Sequence, residues 1–329
     1  MTVTRAPVMT DVARLAGVSH QTVSRVLNNH PNVKTITRQR VLDAIRMLGY
    51  RPNAHARGLA GRHARVIGVI SYNTILYGPA ATLLGIERAA RAAGYGVSIA
   101  TLERIDPQGI TSAIGALTDQ SVAGIIVVAP QHAAATALHG LPEHIPAVTV
   151  GPSGISVAQT VGARLITEHL LNLGHPTVWH IAGPPDSVEA RDRIDSWTRA
   201  MNRAGVTPPA PITGDWSARS GYLAGLALAS RRGVTAVFAG NDHMALGLLR
   251  AFAERGVRVP GDISVAGFDD IPEAAYLNPP LTTVRQDFDE VGRRCIATLL
   301  HRLGAGGPVP DAVTSVAPTL VVRDSTAPH

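Results

Sequence analysis

From Val66 onward the chain alternates short β-type apolar runs with longer amphipathic stretches, and this rhythm limits its possible folds more than any other feature. The runs are VIGVI at 66–70, GVSIA at 96–100, GIIVV at 124–128 and AVTV at 147–150. The pattern restarts with VWHIAG at 178–183, AVFAGND at 236–242 and ISVAGFD at 263–269. Strands buried on both faces read as unbroken apolar runs, and parallel neighbours need crossover helices of a dozen or more residues. The spacing therefore predicts two doubly wound, parallel α/β subdomains with a cleft between them. Ligands of such sheets bind beyond the carboxyl ends of the strands, where Asn241, Asp242, Asp269 and Asp270 fall.

Residues 1–62 lie outside that rhythm and carry most of the charge. They hold ten Arg or Lys against Asp11 and Asp43, a net +8, while the rest of the chain is −2. A basic segment this concentrated suits a binder of phosphate backbones. Thr10 and Asp11 are placed to cap a short helix through Ala16, with Val12 and Leu15 on one face and Gly17 ending it. Ser19 is suited to cap a second helix, His20–Asn28, in which Val23, Val26 and Leu27 point inward. His20, Gln21, Thr22, Ser24 and Arg25 then project outward. A third helix from about Ile36 supplies Val41, Leu42, Ile45 and Leu48 to a small core. This is a helix-turn-helix, whose second helix presents polar side chains to base edges in the major groove.

Other classes find less support. Cys295 is the single cysteine, which excludes an internal disulfide and a cysteine zinc site, and its apolar helical setting marks a core thiol. No metal site and no cofactor is expected: no glycine-rich dinucleotide fingerprint follows a strand, and no phosphate-loop GK[ST] occurs. No apolar run approaches a membrane span, and Met1–Met9 lack a secretory core, so a cytoplasmic protein is expected. An enzyme would have to recruit Asp269 with Asp270, or a histidine such as His175 or His180. No nucleophile motif accompanies them, and no catalytic residue is assigned.

DVARLAGVSHQTVSRVLN from Asp11 to Asn28, followed by GYRPNAHARGLAG from Gly49 to Gly61, resembles the LacI/GalR repressors. GDWSARSGY, GNDHMALG, ISVAGFDD and PPLTTVRQDF extend the resemblance over nearly the whole chain. It implies a helix-turn-helix headpiece over 1–51, a hinge helix and linker over 52–64, and a two-lobed, periplasmic-binding-protein-like sensor over 65–329. His20, Gln21 and Arg25 would then face bases, while Ser19, Thr22, Ser24, Asn28, Thr37, Tyr50 and Asn53 would hold phosphates or orient the headpiece. Leu59 would wedge into the minor groove, with Ala56 allowing close approach, although Gly58 weakens a helix there by about 1 kcal/mol. Lys34 departs from the family pattern, which has a serine cap at that place, leaving Thr35 as the substitute.

The same resemblance implies a sugar as effector. Arg193, Asn241 and Asp269 would bind hydroxyls, and Trp216, Gln286 and Phe288 would line the site. Tyr77, flanked by Leu76 and Pro79, would form the amino-terminal wall. These types fit a ring with one apolar face and paired hydroxyls. Gly151 stands where the pattern has a carboxylate, which bears on which sugar is bound. The expected behaviour is a homodimer on a pseudo-palindromic operator, released by a β-galactoside or β-glucoside. The chain has no leucine-heptad tail for a tetramer. The alternatives are a purine-responsive co-repressed regulator and a periplasmic-type sugar-binding protein without DNA function.

Overall fold

The computed structural model describes residues 7–27, 30–50, 65–72, 74–102, 106–128, 145–151, 154–305 and 315–329. The chain divides into two compact units, Met1–Ala64 and Arg65–His329. Each of them is built around its own core.

The first unit consists of α1 (Met9–Ala16), α2 (His20–Leu27) and α3 (Thr35–Leu48). Val12, Val23, Val26, Val41, Ala44 and Tyr50 form its buried centre. Gly17 ends α1 in the left-handed conformation at φ 62°, and Arg40 donates across the turn to the Ala16 carbonyl at 2.6 Å. Ser19 caps α2, its hydroxyl accepting the Thr22 amide at 3.2 Å. Three expectations need correction. Leu15 and Leu42 are 48% and 41% exposed, because each lies about a quarter-turn or more from the narrow stripe that so short a helix buries. Helix α1 begins at Met9, before Thr10, and Asp11 reaches back from the first turn to accept the Val8 amide at 3.0 Å. Thr35 is the first residue of α3 and does not cap it; Lys34 precedes the helix without a side-chain cap bond.

In the second unit every expected strand is present. The first sheet runs β2 (Gly96–Leu102), β1 (Val66–Tyr72), β3 (Gly124–Val128), β4 (Ala147–Val150). The second runs β7 (Ile212–Thr213), β6 (Trp179–Ala182), β8 (Ala236–Ala239), β9 (Ser264–Ala266). All six pairings within the two sheets are parallel. The strand order is the same in both lobes, second-first-third-fourth. The edge strand β7 is only two residues long, which is why no apolar run announces it.

Helix α4 (Tyr77–Ala92) and α5 (Pro107–Asp119) cover the first sheet. Helices α6 (Gln159–Asn172), α7 (Val188–Arg203), α8 (Ala218–Ala229) and α9 (Asp242–Glu254) cover the second. The last helix, α10 (Phe288–Arg302), returns to the first lobe and sets Val291, Cys295, Ile296 and Leu299 against Ile67, Ile86 and Ile126. Gly85 of α4 makes this approach possible, since a Cβ there would lie 2.4 Å from the Phe288 carbonyl oxygen. Burial pushes the Cys295 thiol up to about 12, as befits a core thiol.

The chain passes between lobes at three places, through short strands without an apolar signature. β5 (Ser156–Val157) pairs in parallel with β11 (Ser315–Val316), and β10 (Thr283–Arg285) pairs antiparallel with β12 (Thr319–Val321). These crossings bring Gln159 and Gln286 to the floor of the cleft.

Candidate functional site

A cavity of about 220 Å³ opens between the two lobes of the second unit at the carboxyl ends of their strands. At ~30 Å³ per water molecule, this is room for a small molecule rather than an ion. Tyr72, Val128 and Val150 reach it from the ends of β1, β3 and β4, with Leu76, Tyr77 and Pro79 from the start of α4. The second lobe supplies Arg193, Trp216, Asn241 and Asp269. Gly151, Gln159, Gln286 and Phe288 come from the crossings. All seven residues expected to bind the effector therefore converge on one cavity.

Four of its side chains form a closed polar ring. Arg193 Nε donates to Gln159 Oε1 at 2.9 Å, and Gln159 Nε2 donates to Gln286 Oε1 at 2.8 Å. Gln286 Nε2 donates to Asp269 Oδ1 at 2.6 Å, and that oxygen lies 4.0 Å from Arg193 Nη2. Arg193 also donates to the Gly240 carbonyl, and its guanidinium lies 3.8 Å from the Phe268 ring centroid and 5.2 Å from that of Trp216. A planar cation held by four kinds of contact is fixed in orientation, as directional recognition of hydroxyl pairs requires.

The apolar wall is equally constrained. Trp216 adopts φ 70°, and its ring lies over Gly183, where a Cβ would come within 2.1 Å of it. Asn241 holds this residue in place: Nδ2 donates to the Trp216 carbonyl at 3.1 Å while Oδ1 caps α9 through the Met244 amide at 2.8 Å. Asn241 thus spends one donor and one acceptor on structure, leaving one of each. Across the cavity, the Tyr77 and Phe288 rings meet edge to face at 5.9 Å. Burial, then the nearby Asp269 carboxylate, raises the Tyr77 hydroxyl pKa.

Asp269 and Asp270 have φ of 119° and 55°, and the twist sends their carboxylates apart. Asp269 turns into the ring, and burial pushes it up to about 6 against the opposing pull of Arg193 and Gln286. Asp270 turns away to Arg285 Nε and Arg323 Nη2, each at 2.6 Å, tying β10 to the carboxyl-terminal segment. They do not form an acid–base dyad. Asp242 stands behind the cavity wall, pushed up to about 8 chiefly by burial, and accepts from Thr283 Oγ1 at 2.6 Å and the Ile271 amide at 2.9 Å. His180 stacks on Phe238 at 4.5 Å in the second-lobe core, and His175 stacks on His329 at 5.4 Å; neither lines the cavity.

Gln159 and Glu189 escaped the reading of the sequence. Glu189 had a legible signal, since it precedes Arg193 by one helical turn on the face that Arg193 was expected to present. Gln159 had none, because its place in the ring depends on a crossing strand of two residues.

In the first unit, His20, Gln21 and Arg25 are exposed on α2, while Thr22 and Ser24 are half-buried. Thr37 is half-buried on α3, and Tyr50 packs into the core at 8% exposure, where it braces the three helices. Asn28, Asn53, Ala56 and Leu59 lie outside the described residues, as does Gly58.

Among the described residues, no helix is long and apolar enough to cross a membrane. Residues 8–53 match the model of bacterial regulatory proteins of the lacI family, and residues 167–326 match a periplasmic binding protein-like domain. The lactose operon repressor of Escherichia coli K12 is 37% identical over 299 residues, covering 88% of this chain and 83% of the relative. A crystal structure of the lac repressor dimer bound to operator and the anti-inducer ONPF superposes with a TM-score of 0.89 at 34% identity, covering 98% of this chain and all of that one. A complex of the transcriptional regulator CelR with cellobiose superposes at 0.70 with 30% identity, covering 97% and 99%. A helix-turn-helix unit whose second helix exposes polar side chains, joined to a two-lobed domain with a cavity between its lobes, matches these relatives in sequence and in fold along almost its entire length. The chain belongs to the lacI family of bacterial regulatory proteins, DNA-binding regulators of transcription.

Proposed function

We propose that this regulator is a repressor that binds a pseudo-palindromic operator as a homodimer and is released by a small sugar or glycoside of the β-galactoside or β-glucoside type. The observation that carries the effector reading is the polar ring of Arg193, Gln159, Gln286 and Asp269 facing the rings of Trp216, Tyr77 and Phe288 in one cavity. Planar amide, guanidinium and carboxylate groups satisfy paired hydroxyls, and aromatic rings take the apolar face of a sugar. The cellobiose bound to one structural relative supports the same class. Catalysis has no part in this reading: Asp269 and Asp270 are turned apart, and His175 and His180 lie away from the cavity.

In the headpiece, His20, Gln21 and Arg25 read bases, and Ser19, Thr22, Ser24, Asn28, Thr37, Tyr50 and Asn53 hold phosphates or orient the headpiece. Residues 52–64 act as a hinge, with Leu59 and Ala56 at the minor groove. The effector stabilises one arrangement of the two lobes, and operator affinity changes in response; by linkage, operator must weaken effector binding by the same factor. The exposed Leu84, Ile99, Leu223, Leu246 and Tyr276 are apolar surface suited to a second copy. A cytoplasmic site of action follows from this role.

The test is fluorescence anisotropy of the purified protein on its own upstream DNA at fixed salt, titrated with β-galactosides, β-glucosides and purines. Release by one glycoside is the expected result. A sugar that tightens operator binding contradicts induction, release or recruitment by a purine contradicts the effector class, and absence of specific DNA binding contradicts the headpiece roles.

A further inference from the structure

The cavity wall is more acidic than recognition of hydroxyls requires. Among the described residues that line it, the charged side chains are Asp186, Glu189, Arg193 and Asp269, three carboxylates against one cation. The cation is committed to Gln159, the Gly240 carbonyl and the Phe268 face, and it faces Asp269 and Glu189. It has little charge left to offer an anionic ligand.

The amino terminus of α7 makes the point sharper. Asp186, Ser187 and Glu189 all line the cavity there, so the positive end of a sixteen-residue helix opens onto the ligand space. Such an end binds phosphate readily through free amides and the helix dipole. Here the protein's own groups have taken it: the Ser187 hydroxyl accepts the Ala190 amide at 3.3 Å and donates to Glu189 Oε2 at 2.9 Å. Glu189 also receives its own backbone amide. The place a phosphate would occupy is filled by a carboxylate, and its surroundings repel a second negative charge.

We propose that the effector is an uncharged polyhydroxy compound, that phosphorylated sugars are excluded, and that Glu189 is the residue that enforces the choice while accepting a hydrogen bond from a ligand hydroxyl. This rests on the sugar reading above and narrows it to unphosphorylated compounds. Burial raises the Glu189 pKa, so its charge is poorly solvated and gains from a hydroxyl donor. A phosphate group gives it none, and like charges brought together there cost several-fold to hundreds-fold in affinity.

Isothermal titration of the full-length protein tests this with paired probes: glucose, galactose, cellobiose and lactose, each beside its phosphate ester. The expected result is a parent sugar that binds and an ester at least about tenfold weaker. Glu189→Gln is nearly isosteric; it should weaken the parent by about tenfold and narrow the gap to the ester. Glu189→Asp keeps the charge but withdraws the oxygen, and should weaken the parent while still rejecting the ester. An ester that binds as tightly as its parent overturns the proposal, and so do Gln and Asp variants that both bind parent and ester like the wild type. Failure of every parent and every ester to bind overturns the sugar reading itself, and this inference with it.

Discussion

Removing Arg193 should produce a loss of stability that depends on pH, because the guanidinium is the cation facing a buried carboxylate. Arg193 and Asp269 have side chains only 6% and 8% exposed. Breaking a buried ion pair by deleting one partner typically costs about 3–5 kcal/mol. The separation of 4.0 Å and the remaining Gln286 donor place Arg193→Met at the lower end, about 3 kcal/mol near pH 8. At roughly 2–4 °C per kcal/mol for a unit of this size, the melting point should fall by about 6–12 °C. Burial pushes Asp269 up to about 6 in the wild type even with Arg193 present, and His243 also lowers it. Without the cation it must rise further. A carboxyl whose folded pKa exceeds its unfolded value binds more protons in the native state, so stability falls as pH rises between the two values. In the wild type that fall is essentially complete by about pH 7. In the variant it continues, so the deficit should grow by up to ~1.4 kcal/mol per pH unit above about pH 6. Near pH 5 it should shrink to the lost hydrogen bonds and packing, about 1 kcal/mol. Asp242, pushed up to about 8, feels both Arg193 and Asp269, so its titration also differs between the two proteins near the top of this range. Thermal unfolding of both proteins from about pH 5 to pH 8 measures this, and adding Asp269→Asn to Arg193→Met should remove the share of the dependence that Asp269 carries. A deficit equal at both ends of the range would refute the electrostatic account and leave packing alone.

Gly183→Ala should displace Trp216, since the new Cβ would meet its ring at 2.1 Å, and weaken effector binding; unchanged tryptophan emission and unchanged affinity would contradict the stacked wall. Ser19→Ala removes the cap of α2 and should cost the first unit about 1 kcal/mol, read as faster amide exchange at Thr22; protection equal to wild type would contradict the cap. His180 is held down to about 4, chiefly by burial, so the unfolded chain binds the extra proton between pH 6.5 and 4, and stability is lost as pH falls through that window. His180→Phe should abolish about 3 kcal/mol of that acid sensitivity, and an unchanged acid limb in the unfolding profile would show that another group carries it.

Two signals of local origin were readable in the linear chain. Strands buried on both faces must be apolar throughout, so β1, β3, β6 and β8 announce themselves, and with them the lobes and the strand ends where ligand residues gather. The turn at Gly17 and the cap at Ser19 depend on neighbours two or three residues away, and both stand where the sequence placed them. What depends on contacts between distant segments was not readable. The ring joins residues 159, 193, 269 and 286, and no local preference records that a glutamine leaving one crossing will meet a glutamine entering another. The divergence of Asp269 into the ring and Asp270 towards Arg285 and Arg323 belongs to the same class. A side chain's type sets what it can bind, and its burial and neighbours, which only the folded chain supplies, set its charge state, its free donors and the ligand left for it to meet.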